Sequence, residues 1–125
     1  MLKNKDAVAT IAVKDIDVAK KFYEEKLELE PSPEQEPGTL AYQTGSATLF
    51  VYPSRYAGTN KATALTWIVD DVENTVADLK KKGVAFEHYD DLPDTKRNGD
   101  IHVGGDKKLA WFKDPDGNIH AIAEN

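Results

Sequence analysis

The chain carries the same short pattern twice. At an offset of 56 residues Thr10 falls on Thr66, Val13 on Val69, Asp15 on Asp71 and Ile16 on Val72. In each copy an apolar, β-branched run of strand length is followed by an aspartate and then by apolar residues at helical spacing. One strand–helix unit has an apolar sheet face that it cannot cover by itself. A duplicated unit therefore implies two modules that pair and share what lies between them.

In the first copy, residues 7–13 read as a strand, and Asp15 or Asp17 caps a helix with Ile16, Ala19, Phe22, Tyr23 and Leu27 on one face. Pro31, Pro33, Pro37 and Gly38 interrupt regular structure. Strands around 39–44 and 47–53 follow, joined at Gly45-Ser46, a two-residue hairpin signal that pairs Gln43 with Thr48. Residues 54–62 read as a polar linker. In the second copy a strand over 64–69 precedes a helix capped by Asp71, with Val72, Val76 and Leu79 on one face and Gly83 as its stop. A short strand over 84–88 comes next, and strands over 109–113 and 118–123 flank Asp114-Pro115-Asp116-Gly117. Proline presets the first central residue of that turn and glycine takes its left-handed position, giving a three-residue loop. It pairs Lys113 with Ile119, Phe112 with His120 and Trp111 with Ala121. The stretch from Tyr89 to Lys108, rich in Gly, Asp and Lys, reads as a long loop, either a lid over a site or a plain solvated connection. The expected fold class is α+β, one domain over 1–125, with modules at about 7–54 and 63–124, each a strand, a helix and three strands.

Composition narrows the function classes. The chain has no cysteine, which removes disulfides, thiolate metal sites and cysteine nucleophiles, and fits a reducing, cytoplasmic location. A net charge of −6 disfavours nucleic acid, which needs a clustered basic face. The run Lys80-Lys81-Lys82 closes a helix, where cations meet the negative end of its dipole. Residues 1–6 are polar, and no apolar run has the length of a signal core or a membrane span, so no membrane partner is expected. Glycines 104 and 105 are too short a run to cradle phosphate, and no Ser–His–Asp spacing stands out.

Three features together resemble one family: Val13-x-Asp15 followed by Phe22-Tyr23 and Leu27, then Val69-Asp70-Asp71-Val72, then Asp114-Pro115-Asp116-Gly117-Asn118. The chain is similar to the vicinal oxygen chelate superfamily of glyoxalases, bleomycin-resistance proteins and extradiol dioxygenases, from about Val8 to Glu124. The resemblance implies two βαβββ modules whose curled mixed sheets surround a shared cleft, completed as a homodimer. In metal-dependent members, the first and last strand of each module supply the ligands. Those positions fall here on Val8, Phe50, Ala64 and Ala121, none of which has a lone pair for a divalent cation. No metal and no cofactor is therefore expected, and metal-dependent glyoxalase or dioxygenase activity is not expected either.

Side chains alternate across a strand. If those positions face the cleft, Thr10, Thr66 and Ile68 face it too, as do Gln43 and Tyr52 through their pairing with the strand of Phe50. Trp111, opposite Ala121, points the same way, whereas Trp67 and His120 turn towards the helices. The candidate ligand-binding residues are thus Gln43, Phe50, Tyr52, Thr10, Thr66 and Trp111, with His102 from the loop. Such a wall suits a small hydrophobic or aromatic molecule. Three readings stay open. One is a metal-free binding protein; another is a lyase, isomerase or dioxygenase-type enzyme, metal-free or with relocated ligands; the last is a structural dimer whose cleft is filled by its own side chains.

Overall fold

The computed structural model describes residues 1–124. The chain divides into two compact units, the first spanning Met1–Ala57 and the second beginning at Gly58.

In the first unit, β1 (Ala9–Val13), β2 (Glu30–Pro31), β3 (Leu40–Thr44) and β4 (Ala47–Pro53) form a sheet in the order β1-β4-β3-β2. The strand β1 runs parallel to β4, with Thr10 opposite Phe50, and β3 is antiparallel to β4, with Gln43 opposite Thr48. One helix serves this sheet. Asp15 accepts from the backbone N–H groups of Asp17 and Val18 and so starts α1 (Ile16–Lys21). The sequence predicts an α-helix continuing to Leu27. Instead the last turn, Phe22–Lys26, is a π-helix in which the Leu27 N–H reaches back five residues to the Phe22 carbonyl at 3.2 Å. Hydrophobic spacing does not separate these two windings, because both keep Phe22 and Tyr23 buried. Ile11, Val13, Leu49 and Val51 alternate into the same core, where Tyr23 stacks on Tyr42 at 6.2 Å. The buried Tyr42 hydroxyl donates to Glu24 at 2.9 Å, and burial together with that carboxylate pushes its pKa upward.

The second unit has a larger sheet. Its elements are β5 (Thr63–Val69), α2 (Val72–Lys81), β6 (Phe86–Glu87), β7 (Lys96–Asn98), β8 (Ile101–Gly104), β9 (Lys107–Lys113) and β10 (Ile119–Glu124). The order is β5-β10-β9-β8-β7, and β6 also pairs with β9. Asp71 caps α2 by accepting from the Asn74 N–H at 3.0 Å. The Val72 N–H donates to Glu124 at 3.0 Å, tying the helix start to β10. Val72, Val76, Ala110, Phe112 and Ile122 are buried on the helix side.

The stretch read from the sequence as a loop over 89–108 is strand in part, over Lys96–Asn98 and Ile101–Gly104 and from Lys107 onward. Both β6 and β8 lie along β9, at Phe112 and Trp111 in one case and from Leu109 to Lys107 in the other. They form one sheet edge interrupted by an excursion from His88 to Asp100. That excursion includes β7, which folds back on β8 with Arg97 opposite His102. Two-residue turns join β7 to β8 at Gly99-Asp100 and β8 to β9 at Gly105-Asp106, with the glycines at φ +62° and +63°. Asn98-Gly99 is thus a local hairpin signal inside the stretch read as a loop, and only β6 has a distant partner. Ion pairs and a hydrogen bond clamp the excursion: Arg97 holds Asp90 at 2.8 Å, and Asp100 takes Lys80 at 2.7 Å and the His88 ring at 2.8 Å.

His120 is fully buried on the helix side, stacked on Phe112 at 4.7 Å, and its Nδ1 accepts from the half-buried Trp67 indole at 3.0 Å. Burial pushes its pKa down from 6.5 to about 4, against the pull of Asp114. No helix among the described residues is long and apolar enough to cross a membrane.

A Cβ at Gly58, where φ is +73°, would overlap the Asp116 carbonyl, whereas one at Gly45, φ +58°, would meet nothing within 4 Å. Urea unfolding should show Gly45→Ala losing about 1 kcal/mol and Gly58→Ala roughly 2–4 kcal/mol, since only the second adds overlap to left-handed strain. As for His120, its folded pKa lies below its unfolded one, so the unfolded chain binds the extra proton. Its stabilising contribution is complete above pH 6.5 and is lost as pH falls towards 4. The loss should be on the order of 2–3 kcal/mol, and in His120→Asn, which keeps an acceptor for Trp67, that part of the pH slope should vanish.

Candidate binding site on the second sheet

Alternation and strand register decide which side chains meet. On β9, Ala110 and Phe112 turn to α2, so Leu109 and Trp111 take the opposite face. Ala121 lies opposite Trp111 on one side and Thr66 on the other, while His102 lies opposite Leu109. The face away from α2 therefore carries His102, Trp111, Ala121, Thr66 and Ile68, the last 63% exposed.

Trp111 is the centre of this face. Its indole Nε1 donates to Thr63 Oγ1 at 3.2 Å. Its ring stands edge-on to two others, Tyr89 at 5.3 Å and 81° and His102 at 4.8 Å and 87°. Such geometry sets the positive edge of one ring against the negative face of the next. Beside these rings is a recess of about 190 Å³ lined by Lys61, Ala62, Thr63, Tyr89, Leu92, Trp111 and Ile119.

His102 is completely buried. The backbone N–H of Tyr89 donates to its Nε2 at 2.9 Å, which requires Nε2 to be unprotonated and puts the proton of the neutral ring on Nδ1. That Nδ1 has no hydrogen-bond partner of sound geometry among the described residues. Burial lowers the His102 pKa, helped by the Arg97 charge and opposed by the Asp100 backbone, so the neutral, accepting form is favoured. His102 thereby fixes the start of the excursion and, with it, the Tyr89 ring. The Tyr89 phenol is held protonated by burial and by the Glu87 charge, with Lys113 acting against them.

The candidate residues named from the sequence fall into two sets, each assembled within its own unit. In the first unit Thr10 and Gln43 are exposed, Phe50 is half-buried, and Tyr52, 36% exposed, stacks on Phe50 at 6.2 Å and 11°. In the second unit Trp111 touches His102, and Thr66 is exposed one strand beyond Ala121. Tyr89, Thr63, Leu92, Ile119 and Lys61 are not among the sequence-based candidates. Tyr89 and Leu92 lie on the excursion, whose position depends on His102. Thr63 comes opposite Ile119 through a register shift between Ile119 and His120.

Residues 6–122 match the model of the Glyoxalase/Bleomycin resistance protein/Dioxygenase superfamily. The chain belongs to that superfamily. A glyoxalase family protein from Enterococcus faecalis is 22% identical, with a TM-score of 0.73 over 99% of this chain and 100% of its own. A glyoxalase/bleomycin resistance protein from Catenulispora acidiphila is 21% identical, at 0.69 over 96% and 97%. A lactoylglutathione lyase from Agrobacterium tumefaciens is 18% identical, at 0.69 over 98% and 94%. At these identities the structures establish the fold. No curated protein matches the chain.

Within the glyoxalase superfamily the resemblance puts metal ligands at Val8, Phe50, Ala64 and Ala121. Val8 is half exposed ahead of β1 and Ala121 is buried opposite Trp111. The four side chains present no donor atom, so they do not fit a divalent cation. Among the described residues no three His, Cys, Asp or Glu side chains gather closely enough to hold one elsewhere. The nearest imidazole to that last position in sequence, His120, faces α2 and is engaged by Trp67.

Replacing His102 by Phe should keep the ring contact with Trp111 but remove the acceptor for the Tyr89 amide. Hydrogen exchange at Tyr89 is then expected to accelerate at least tenfold while the β9–β10 amides keep their protection. Unchanged exchange at Tyr89 would show that another group holds the excursion.

Proposed function

We propose that this glyoxalase-superfamily chain binds a small, flat apolar or aromatic molecule without using a metal ion, in the recess beside Trp111. The observation that carries this reading is the pair of rings, Trp111 and Tyr89, held at 81° beside a recess of about 190 Å³. Both rings are positioned by hydrogen bonds independent of any ligand, Trp111 through Thr63 and the Tyr89 backbone through His102. A pre-formed wall of this kind costs little ordering on binding. The donor-free side chains at the family's ligand positions support the metal-free part of the proposal. Acid–base catalysis by His102 is the less favoured reading, because its Nε2 is spent on the Tyr89 amide and its ring is fully enclosed. A cytoplasmic location, which fits a chain without cysteine, and a homodimer, implied by the resemblance, complete the proposal. Exposed apolar side chains such as Val8, Tyr52 and Ile68 are candidates for burial in it, and sedimentation should read twice the chain mass of 13.8 kDa.

Titration with single-ring aromatic compounds should quench or shift Trp111 fluorescence saturably, with a Kd on the order of 0.1–1 mM for ligands of so few atoms. Calorimetry on Trp111→Ala should show affinity falling about tenfold or more. If a panel of neutral and charged single-ring compounds gives no saturable signal in the low millimolar range, the proposal fails.

A further inference from the structure

We propose that the ligand of this recess is a single-ring carboxylate, its ring against Trp111 and Tyr89 and its carboxylate met by Lys61 and Thr63. The inference rests on the binding reading above and narrows its ligand class. Size comes first. A cavity of about 150 Å³ accommodates benzene, so about 190 Å³ holds one ring with a small substituent.

Hydrogen-bonding capacity comes second. The indole N–H of Trp111 is already spent on Thr63 Oγ1. Because that oxygen accepts from the indole, the Thr63 hydroxyl proton remains to be donated. The Tyr89 hydroxyl, kept protonated by its surroundings, is a second donor. Lys61 adds an ammonium with three more. Leu92 and Ile119 are apolar, and no aspartate or glutamate lines the recess. The unspent polar side chains of the lining can all donate, and the one full charge among them is positive, which suits an acceptor-rich, anionic ligand.

Lys61 is also free to serve. Lys80, Lys108 and Lys113 are taken by Asp100, Glu73 and Glu87, whereas no ion pair of Lys61 is formed among the described residues. The chain as a whole is anionic, at −6, so its long-range field repels a carboxylate. Any preference for one must arise from short-range contact with Lys61, which makes the preference a local test.

Benzoate and benzamide have nearly the same shape and differ in charge, and they are the probes. At pH 7 benzoate should bind the wild-type chain about tenfold more tightly than benzamide by calorimetry or Trp111 fluorescence. Lys61→Met should bring the two to within about twofold, and Lys61→Arg should keep most of the preference. Lys61 is exposed and precedes β5, so these variants are expected to fold, which circular dichroism checks. Equal binding of both probes by the wild type, or a benzoate preference that survives Lys61→Met, would overturn the carboxylate assignment and leave the aromatic-binding proposal standing. Absence of binding by both probes also overturns the carboxylate assignment, and the wider panel of single-ring compounds then decides the aromatic-binding proposal.

Discussion

The carboxylate of Asp114 sits almost fully buried inside the last turn and accepts three donors, the backbone N–H groups of Asp116 and Asn118 and the Asn118 side-chain amide. Gly117 closes the turn at φ +88°. Together they set β10 against β9 with Trp111 opposite Ala121 and Phe112 opposite His120. Strand side chains alternate with period two, so a slip of one residue would exchange the faces. Trp111 would then lie under α2, and Phe112 would stand where the ring cluster is. The candidate site, the stacked core histidine and the contact with β5 all depend on this one buried carboxylate.

A second constraint is the ratio of helices to sheets. Each unit has one helix and one sheet, and one helix covers one face. In the first unit Ile11, Val13, Leu49 and Val51 are buried, while Thr10, Phe50 and Tyr52 line the opposite face. The second unit repeats the division, but its excursion from His88 to Asp100 brings Tyr89 against part of the helix-free face. The cost of that cover is a buried imidazole whose Nδ1 lacks a good partner among the described residues. What it provides is a fixed pair of aromatic rings beside a recess, on a fold that hosts unrelated activities elsewhere.

Much of this architecture was legible in the chain. The capping aspartates Asp15 and Asp71, the Gly45-Ser46 hairpin with Gln43 opposite Thr48, and the three pairs across the Asp114 turn all follow from local rules of spacing and turn chemistry. Other elements escaped those rules, for different reasons. The π-turn at Phe22–Lys26 shares its buried positions with an ordinary α-turn. The strands β7 and β8 are short and are joined to each other and to β9 by the two-residue turns Gly99-Asp100 and Gly105-Asp106, a local signal hidden in a stretch rich in Gly, Asp and Lys. Tyr89 reads as the start of a loop until His102, thirteen residues on, is seen to accept its N–H.

By itself the sequence determined the duplicated strand–helix pattern, the superfamily, the faces of the main strands and the lack of donor atoms at the family's metal positions. These depend on period-two alternation, on short-range turn geometry and on residue identity, all of which can be counted along a chain. Only the tertiary structure decided that Trp111 is anchored to Thr63, that His102 is an enclosed acceptor and not an exposed loop residue, and that Tyr89, Leu92 and Lys61 share one recess. Those depend on which distant backbone segments meet and on where a buried proton sits, and neither has a local signature in residue order.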